Sequence, residues 1–159
     1  MRLPPVFSQT AQEEDVMMIR YGTAADRERI LRIRPQAAAL LSDGEGSYLL
    51  IAEEDGELLG CAAVFRREIP APVAKEEAFI NLIDVFEEAN RRKGVGSSLV
   101  REILAVERGR GTYQARAYCE IGHVASHRLW MSCGFGIAPV KIGESIVGSY
   151  VTCVLDGTR

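Results

Sequence analysis

The sequence predicts a single α/β domain in which helices cover both faces of a mixed β-sheet. Its 159 residues correspond to one domain of ordinary size. The composition, with 47% hydrophobic and 26% charged residues, is close to the globular average. Strand-like and helix-like patterns follow one another in the order β-α-α-β-β-β-α-β-α-β-β, which gives about seven strands and about four helices.

Residues 1–15 are predicted to form a flexible tail, so that the domain spans residues 16–159. This first segment is polar, carries two prolines and lacks the apolar stretch of a secretion signal. No uninterrupted apolar run approaches 18 residues, so no transmembrane helix is expected. The net charge of −3 provides no basic excess for nucleic acid. We therefore expect a cytoplasmic protein that binds neither a membrane nor nucleic acid.

The chain is expected to begin with a strand at Val16–Tyr21 and a helix. Thr23 and Asp26 resemble a capping box, in which a side chain at each position binds the backbone of the other. Pro35 interrupts the helix, so a second, short helix is expected at residues 37–41.

A hairpin and a central strand are predicted next. Apolar runs at residues 48–52 and 58–65 flank Asp55 and Gly56, a strong hairpin signal. Residues 78–86 are almost continuously apolar, as in a strand that is buried on both faces.

The second half of the chain predicts two more helices and three more strands. A helix begins at Gly94, because apolar residues then recur along one helical stripe. Residues 112–121 alternate between apolar and polar side chains, as a strand does. The apolar side of this strand consists of Ala115, Ala117, Cys119 and Ile121. The closing elements are a helix at 124–133 and strands at 137–142 and 149–155.

The cysteines and histidines do not predict a disulfide framework or a metal site. The cysteines are widely spaced, with no C-x-x-C pair, so buried and reduced thiols are expected. His123 and His127 lie four residues apart on one helix face, but no third ligand accompanies them. The four cysteines are Cys61, Cys119, Cys133 and Cys153.

The most informative segment is a basic, glycine-bearing turn between the central strand and the next helix. Gly94 and Gly96 lack a Cβ atom, so an anion can approach the backbone closely. The first amides of the helix have no partner within it and lie at the positive end of its dipole. The turn therefore predicts an anion site, with an ordinary helix start and solvated charges as the alternative. The cations of the turn are Arg91, Arg92 and Lys93.

Two common phosphate-binding motifs are absent from the sequence. A P-loop requires lysine directly after glycine, and no lysine in the chain follows a glycine. The dinucleotide motif G-x-G-x-x-G would require glycine where the chain has Leu99.

The turn, R-R-K-G-V-G, matches the [QR]-x-x-G-x-[GA] signature of the GNAT N-acetyltransferase superfamily. The later segment from His123 to Phe135 is similar to that family's N-x-x-A-x-x-x-Y-x-x-x-G-F motif. The resemblance covers residues 17–155, and it implies a mostly antiparallel sheet and acetyl-CoA as cosubstrate. It also allows a homodimer, since dimers are common in the family.

The resemblance implies where acetyl-CoA would bind. The backbone of residues 84–86 would pair with pantetheine, at a place where this strand splays from the strand at 112–121. The backbone of residues 92–97 would hold the diphosphate. The implied cofactor-binding residues are Val85, Phe86, Arg91, Arg92, Lys93, Gly94, Val95, Gly96, Ser97, His123 and Trp130.

The acceptor amine must lose its charge before it can attack a thioester. At pH 7 this costs roughly 4.6 kcal/mol for a lysine amine of pKa about 10.4, and about 1.4 kcal/mol for an α-amine of pKa about 8. Asp84 is a candidate base, because it is ionisable within an apolar strand, although it could instead bind solvent or backbone. Tyr118 is the second candidate base, since some ribosomal-protein acetyltransferases of the family carry a catalytic Glu at this strand position. The alternative is that Tyr118 only packs against its neighbours and has no catalytic role.

We therefore predict an enzyme that moves the acetyl group of acetyl-CoA to a primary amine by direct attack in a ternary complex. The acceptor is expected to be a small molecule or a peptide. Trp130 replaces the family's tyrosine, the usual general acid, and an indole N–H does not give up its proton. This replacement motivates the alternative, an acyl-CoA-binding module with little or no turnover.

Overall fold

The computed structural model describes residues 16–41 and 43–155, which form a seven-stranded sheet with helices on both faces. The predicted tail at residues 1–15 lies outside the described residues. The strands are β1 (Met18–Tyr21), β2 (Tyr48–Glu54), β3 (Glu57–Ile69), β4 (Lys75–Val85), β5 (Gln114–Glu120), β6 (Gly136–Ile142) and β7 (Ser145–Val154). The helices are α1 (Ala24–Ile33), the 3₁₀ helix η1 (Pro35–Leu40), α2 (Glu88–Arg91), α3 (Val95–Gly109) and α4 (Val124–Ser132).

The predicted fold class is confirmed. The strands are ordered β1-β2-β3-β4-β5-β7-β6, and every neighbouring pair is antiparallel except β4 and β5. The short helix α2 is an addition to the predicted order of elements, and the predicted second helix is the 3₁₀ helix η1.

The parallel strands β4 and β5 separate soon after they meet. Their pairing covers only residues 77–80 of β4 and 114–117 of β5. On the other side of β4, Ile80 pairs with Val64 and Leu82 with Ala63, so Asn81 is an extra residue without a direct partner on β3. A bulge of this kind bends its strand. The bend explains why β4 and β5 diverge after residue 80.

Each face of the sheet has its own buried cluster. Helix α3 contributes an apolar stripe to the larger cluster, together with Trp130 of α4 and the inward side chains of β5. Helices α1 and η1 cover the opposite face, where they pack against β2, β3 and Leu82 of β4. Ala115, Ala117 and Cys119 are buried as expected. The prediction for Ile121 is wrong: it is 62% exposed, because β5 ends at Glu120 and Gly122 turns the chain away with a φ of +86°.

The predicted capping box opens α1. Asp26 Oδ2 accepts a hydrogen bond from the Thr23 amide at 2.8 Å, and Thr23 Oγ1 accepts one from the Asp26 amide at 3.4 Å. Arg20 on β1 donates to Asp26 at 2.7 Å and to Glu53 on β2 at 2.9 Å. Hydrogen bonds from Arg20 hold the pKa of Asp26 below its usual range. The guanidinium of Arg20 therefore joins three neighbouring elements, β1, α1 and β2.

Replacing Thr23 with alanine is expected to lower the free energy of unfolding by about 1 kcal/mol, because an N-cap oxygen is lost. Urea denaturation measures this change. Thr23→Ser keeps the oxygen and serves as the matched control. An alanine variant as stable as the serine variant would show that the cap does not stabilise the fold.

All four cysteines are free thiols; Cys61, Cys119 and Cys153 are buried, and Cys133 is half-buried. Among the helices that the structure describes, none is long and apolar enough to cross a membrane. Within the same residues there is no group of three or more His, Cys, Asp or Glu side chains that could hold a metal ion.

Candidate functional site

A cavity of about 650 Å³ lies between the end of β4 and the segment that follows β5. This volume is within the range of small-molecule sites. The walls come from the end of β4, the start of α3, and the turn and first residues of α4. Seven residues singled out from the sequence line it: Asp84, Val85, Arg91, Gly94, Gly96, Ser97 and His123.

The amino-terminal end of α3 opens into this cavity. Gly94 precedes the helix with a φ of +73°, a conformation that favours glycine. The first backbone bond of the helix runs from the Ser98 amide to the Gly94 carbonyl at 3.0 Å. The amides of residues 95–97 therefore come before the ladder of helical hydrogen bonds and can bind an anion.

Gly96 has a second role, in packing α3 against α4. A Cβ atom at this position would lie 3.2 Å from Cδ2 of Leu129 and 3.7 Å from Cγ2 of Val85. The missing side chain therefore allows α3 to approach α4 and also leaves the helix end open to the cavity.

The connection between β4 and α3 is held in an unusual conformation. Glu87 has φ 64° and ψ 142°, a region that residues other than glycine rarely occupy and that costs roughly 1–3 kcal/mol. The side-chain amide of Asn90 donates to the Phe86 carbonyl and closes the turn. The sequence does not predict this conformation, since glutamate does not signal a positive φ.

The edge of β4 that faces the cavity differs from the sequence expectation. The Phe86 amide donates to the Leu59 carbonyl of β3 at 2.8 Å, so it is already paired within the sheet. Backbone groups of a strand alternate between its two edges. Ile83 and Val85 therefore face the open edge, while Asp84 and Phe86 face β3. Of residues 84–86, for which pairing with pantetheine is expected, Val85 alone presents its backbone groups at the open edge, and Ile83 does so beside it.

Asp84 is the carboxylate at the cavity, and its side chain is 21% exposed. Arg34, at the end of α1, donates from Nε to Asp84 Oδ2 at 3.0 Å and lies 5.5 Å over the Phe86 ring. Burial raises the pKa of Asp84, and the positive charge of Arg34 opposes that rise. Sequence reasoning missed Arg34, because no local pattern joins residues 50 positions apart.

Six other candidates do not line the cavity: Phe86, Arg92, Lys93, Val95, Tyr118 and Trp130. Phe86 and Val95 are buried in the core, and Lys93 pairs with Glu54 at 3.0 Å. The Tyr118 hydroxyl donates to the Val147 carbonyl at 3.2 Å, and the side chain is 41% exposed. Trp130 is buried beside Phe135, with ring centroids 4.9 Å apart.

The start of α4 supplies much of the remaining wall. His123 is the N-cap residue of α4, and its side chain is largely exposed. In this segment the sequence predicts a site role for His123 and Trp130 alone. The cavity residues that the sequence does not predict are Ile83, Gly122, Val124, Ala125, Ser126 and Leu129.

Residues 12–135 of the chain match the model of the acetyltransferase (GNAT) family. No curated protein sequence matches the chain significantly.

Solved structures resemble the whole described fold. Arabidopsis thaliana NAA60, in complex with a bisubstrate analogue, is 15% identical with a TM-score of 0.71, covering 90% of this chain and 100% of that chain. Salmonella typhimurium yncA, with its cofactor acetyl-CoA, is 25% identical with a TM-score of 0.67, covering 89% and 95%. The ribosomal-protein-alanine N-acetyltransferase of Brucella melitensis is 22% identical with a TM-score of 0.68, covering 87% and 99%.

Proposed function

The chain belongs to the acetyltransferase (GNAT) family, and we propose that it moves the acetyl group of acetyl-CoA to a primary amine by direct attack in a ternary complex. The observation that carries this proposal is the open end of α3, at a cavity between two diverging strands. The family assignment supports acetyl transfer in general, and the residues around the cavity suggest how it proceeds.

The residues at the cavity fit acetyl-CoA. The amides of residues 95–97 and the positive end of the α3 dipole suit its diphosphate, and Arg91 adds a cation at the same wall. The open edge of β4 at Ile83 and Val85 offers backbone groups to the amides of pantetheine. When bound, acetyl-CoA supplies an acyl group activated as a thioester.

Asp84 is the group that accepts the proton of the acceptor amine, directly or through a water molecule. Asp84 lines the cavity, and burial raises the pKa of its carboxyl group, which makes it a stronger base. Arg34 favours the ionised form and fixes its position. Tyr118 is the weaker candidate, because its hydroxyl binds Val147 and does not line the cavity.

Direct attack is preferred to a relay through a cysteine. Cys119 is buried, and burial raises the pKa of its thiol, so little nucleophilic thiolate forms near neutral pH. Trp130 lies in the core and supplies no proton to a departing thiolate. An enzyme would turn over even though Trp130 donates no proton, whereas an acyl-CoA-binding module would not. Release of CoA from acetyl-CoA in the presence of a panel of amines distinguishes the two.

Acetyl-CoA is expected to raise the thermal stability of the protein. A ligand that binds only the folded state stabilises it by about 2.7 kcal/mol at a hundredfold excess over Kd. Differential scanning calorimetry with acetyl-CoA, ATP and NAD at equal concentration measures the three shifts. We expect the largest shift with acetyl-CoA, because only this ligand also carries the pantetheine arm for the β4 edge. Equal shifts with all three would contradict the assignment.

A further inference from the structure

Arg116, on β5, is a cation that has no anionic partner among residues 16–41 and 43–155. Its Nε is buried, and none of these residues forms a hydrogen bond with it. Throughout the part of the chain that the structure describes, its guanidinium makes no ion pair and no hydrogen bond; its one contact of note is with the Tyr150 ring, 3.9 Å away. Arg67, on the same face of the sheet, pairs with Glu77. A partly buried cation is stabilised by an anionic partner, so Arg116 is suited to bind one.

Arg116 lies next to the point where β4 and β5 separate. It pairs with Phe79, and the next pair, Ile80 with Ala117, is the last before the gap. Because Ala115 and Ala117 face α3, the side chain of Arg116 points to the opposite face of the sheet. On that face α1 and η1 cover β2, β3 and β4, while Tyr118 and Tyr150 of β5 and β7 are partly exposed.

This uncovered face is the side from which an acceptor can reach the gap. Helices α3 and α4 occupy the other face, where the cavity holds the cofactor in the function proposed above. An amine that enters the gap from the uncovered face therefore passes Arg116. The Tyr150 ring holds the guanidinium in place, and a guanidinium can bind both oxygens of a carboxylate at once.

We propose that the acceptor carries a carboxylate beside its amine, as an α-amino acid does, and that Arg116 binds this carboxylate. The inference rests on the proposed function, because the acceptor is defined by it. It narrows the acceptor from any primary amine to amino acids. A peptide amino terminus lacks this carboxylate and is expected to be a poor acceptor.

Pairs of acceptors that differ only in the carboxylate test the inference. Each L-amino acid of a complete panel is compared with the corresponding decarboxylated amine, for example phenylalanine with 2-phenylethylamine. Arg116→Gln is expected to lower kcat/KM about tenfold to a hundredfold for the best amino acid and less than threefold for its amine. Arg116→Lys keeps the charge and should restore part of the loss. Arg101→Gln removes an exposed charge of α3 and is the matched control.

An equal loss on both members of a pair, or no loss on either, would overturn the role of Arg116 in binding a carboxylate while leaving acetyl transfer in place. Binding gives a readout that does not depend on turnover. With CoA bound, the parent protein should bind the N-acetylated form of the best amino acid, and the Arg116→Gln variant should not. Where no amino acid is acetylated, the N-acetylated amino acids are tested for binding one after another. Binding through Arg116 without any acetyl transfer would support the carboxylate site and contradict the proposed function. If neither binding through Arg116 nor acetyl transfer is observed, the carboxylate site and the proposed function are both contradicted.

Discussion

Gly96→Glu is expected to weaken acetyl-CoA binding at least a hundredfold. The new carboxylate would lie at the amino-terminal end of α3, where it competes with the diphosphate for the amides of residues 95–97 and repels its charge. The Cβ atom would also lie 3.2 Å from Leu129 Cδ2, the end of a flexible side chain that must shift by a few tenths of an ångström. Isothermal titration calorimetry measures the affinity, and circular dichroism checks that the variant is folded.

Two further variants at this position separate charge from packing. Gly96→Gln has nearly the shape of glutamate without its charge, and Gly96→Ala adds only the Cβ atom that meets Leu129. We expect affinity to fall in the order alanine, glutamine, glutamate. A folded glutamate variant that binds acetyl-CoA as tightly as the parent would show that the diphosphate does not bind at this helix end.

The parts of the fold that were predicted correctly depend on local patterns. The capping box at Thr23 and the hairpin at Asp55 and Gly56 each need only a few consecutive residues, and both are present. The glycine turn is likewise local, since a positive φ at Gly94 and free amides at a helix start follow from residue types.

The features of the fold and the site that the sequence does not predict depend on contacts between residues far apart in the sequence or on small shifts of strand register. The extra residue at Asn81 bends β4, yet no sequence pattern separates it from an ordinary strand residue. Arg34 reaches Asp84 across 50 positions, and the Nε of Arg116 lacks a partner within the described residues, which becomes evident only when the neighbouring strands are in place. Trp130 stands at a family motif position, but its burial beside Phe135 follows from how α4 packs.

Asp84→Asn is expected to reduce acetyl transfer strongly for a lysine-like acceptor and weakly for an α-amine. Deprotonation at pH 7 costs roughly 4.6 kcal/mol for the first amine and about 1.4 kcal/mol for the second, so a base matters most for the first. Loss of a general base typically slows a reaction about 10²- to 10⁴-fold. We expect the rate of acetyl transfer to fall within this range for the lysine-like acceptor and by no more than about tenfold for the α-amine. Steady-state kinetics measure both rates, after the affinity of the variant for acetyl-CoA has been checked.

The dependence of the rate on pH distinguishes a base from a merely structural Asp84. The base must be ionised, so the rate should fall as the pH is lowered through the pKa of Asp84, which burial raises above its usual value. Arg34→Gln removes the cation that favours the ionised form, so the pKa of Asp84 should rise further and this fall should move to higher pH. Asp84→Asn should remove this part of the profile in both backgrounds. If the asparagine variant keeps the parent's rate on both acceptors and the same profile at low pH, Asp84 does not take the proton, and Tyr118 or water must do so.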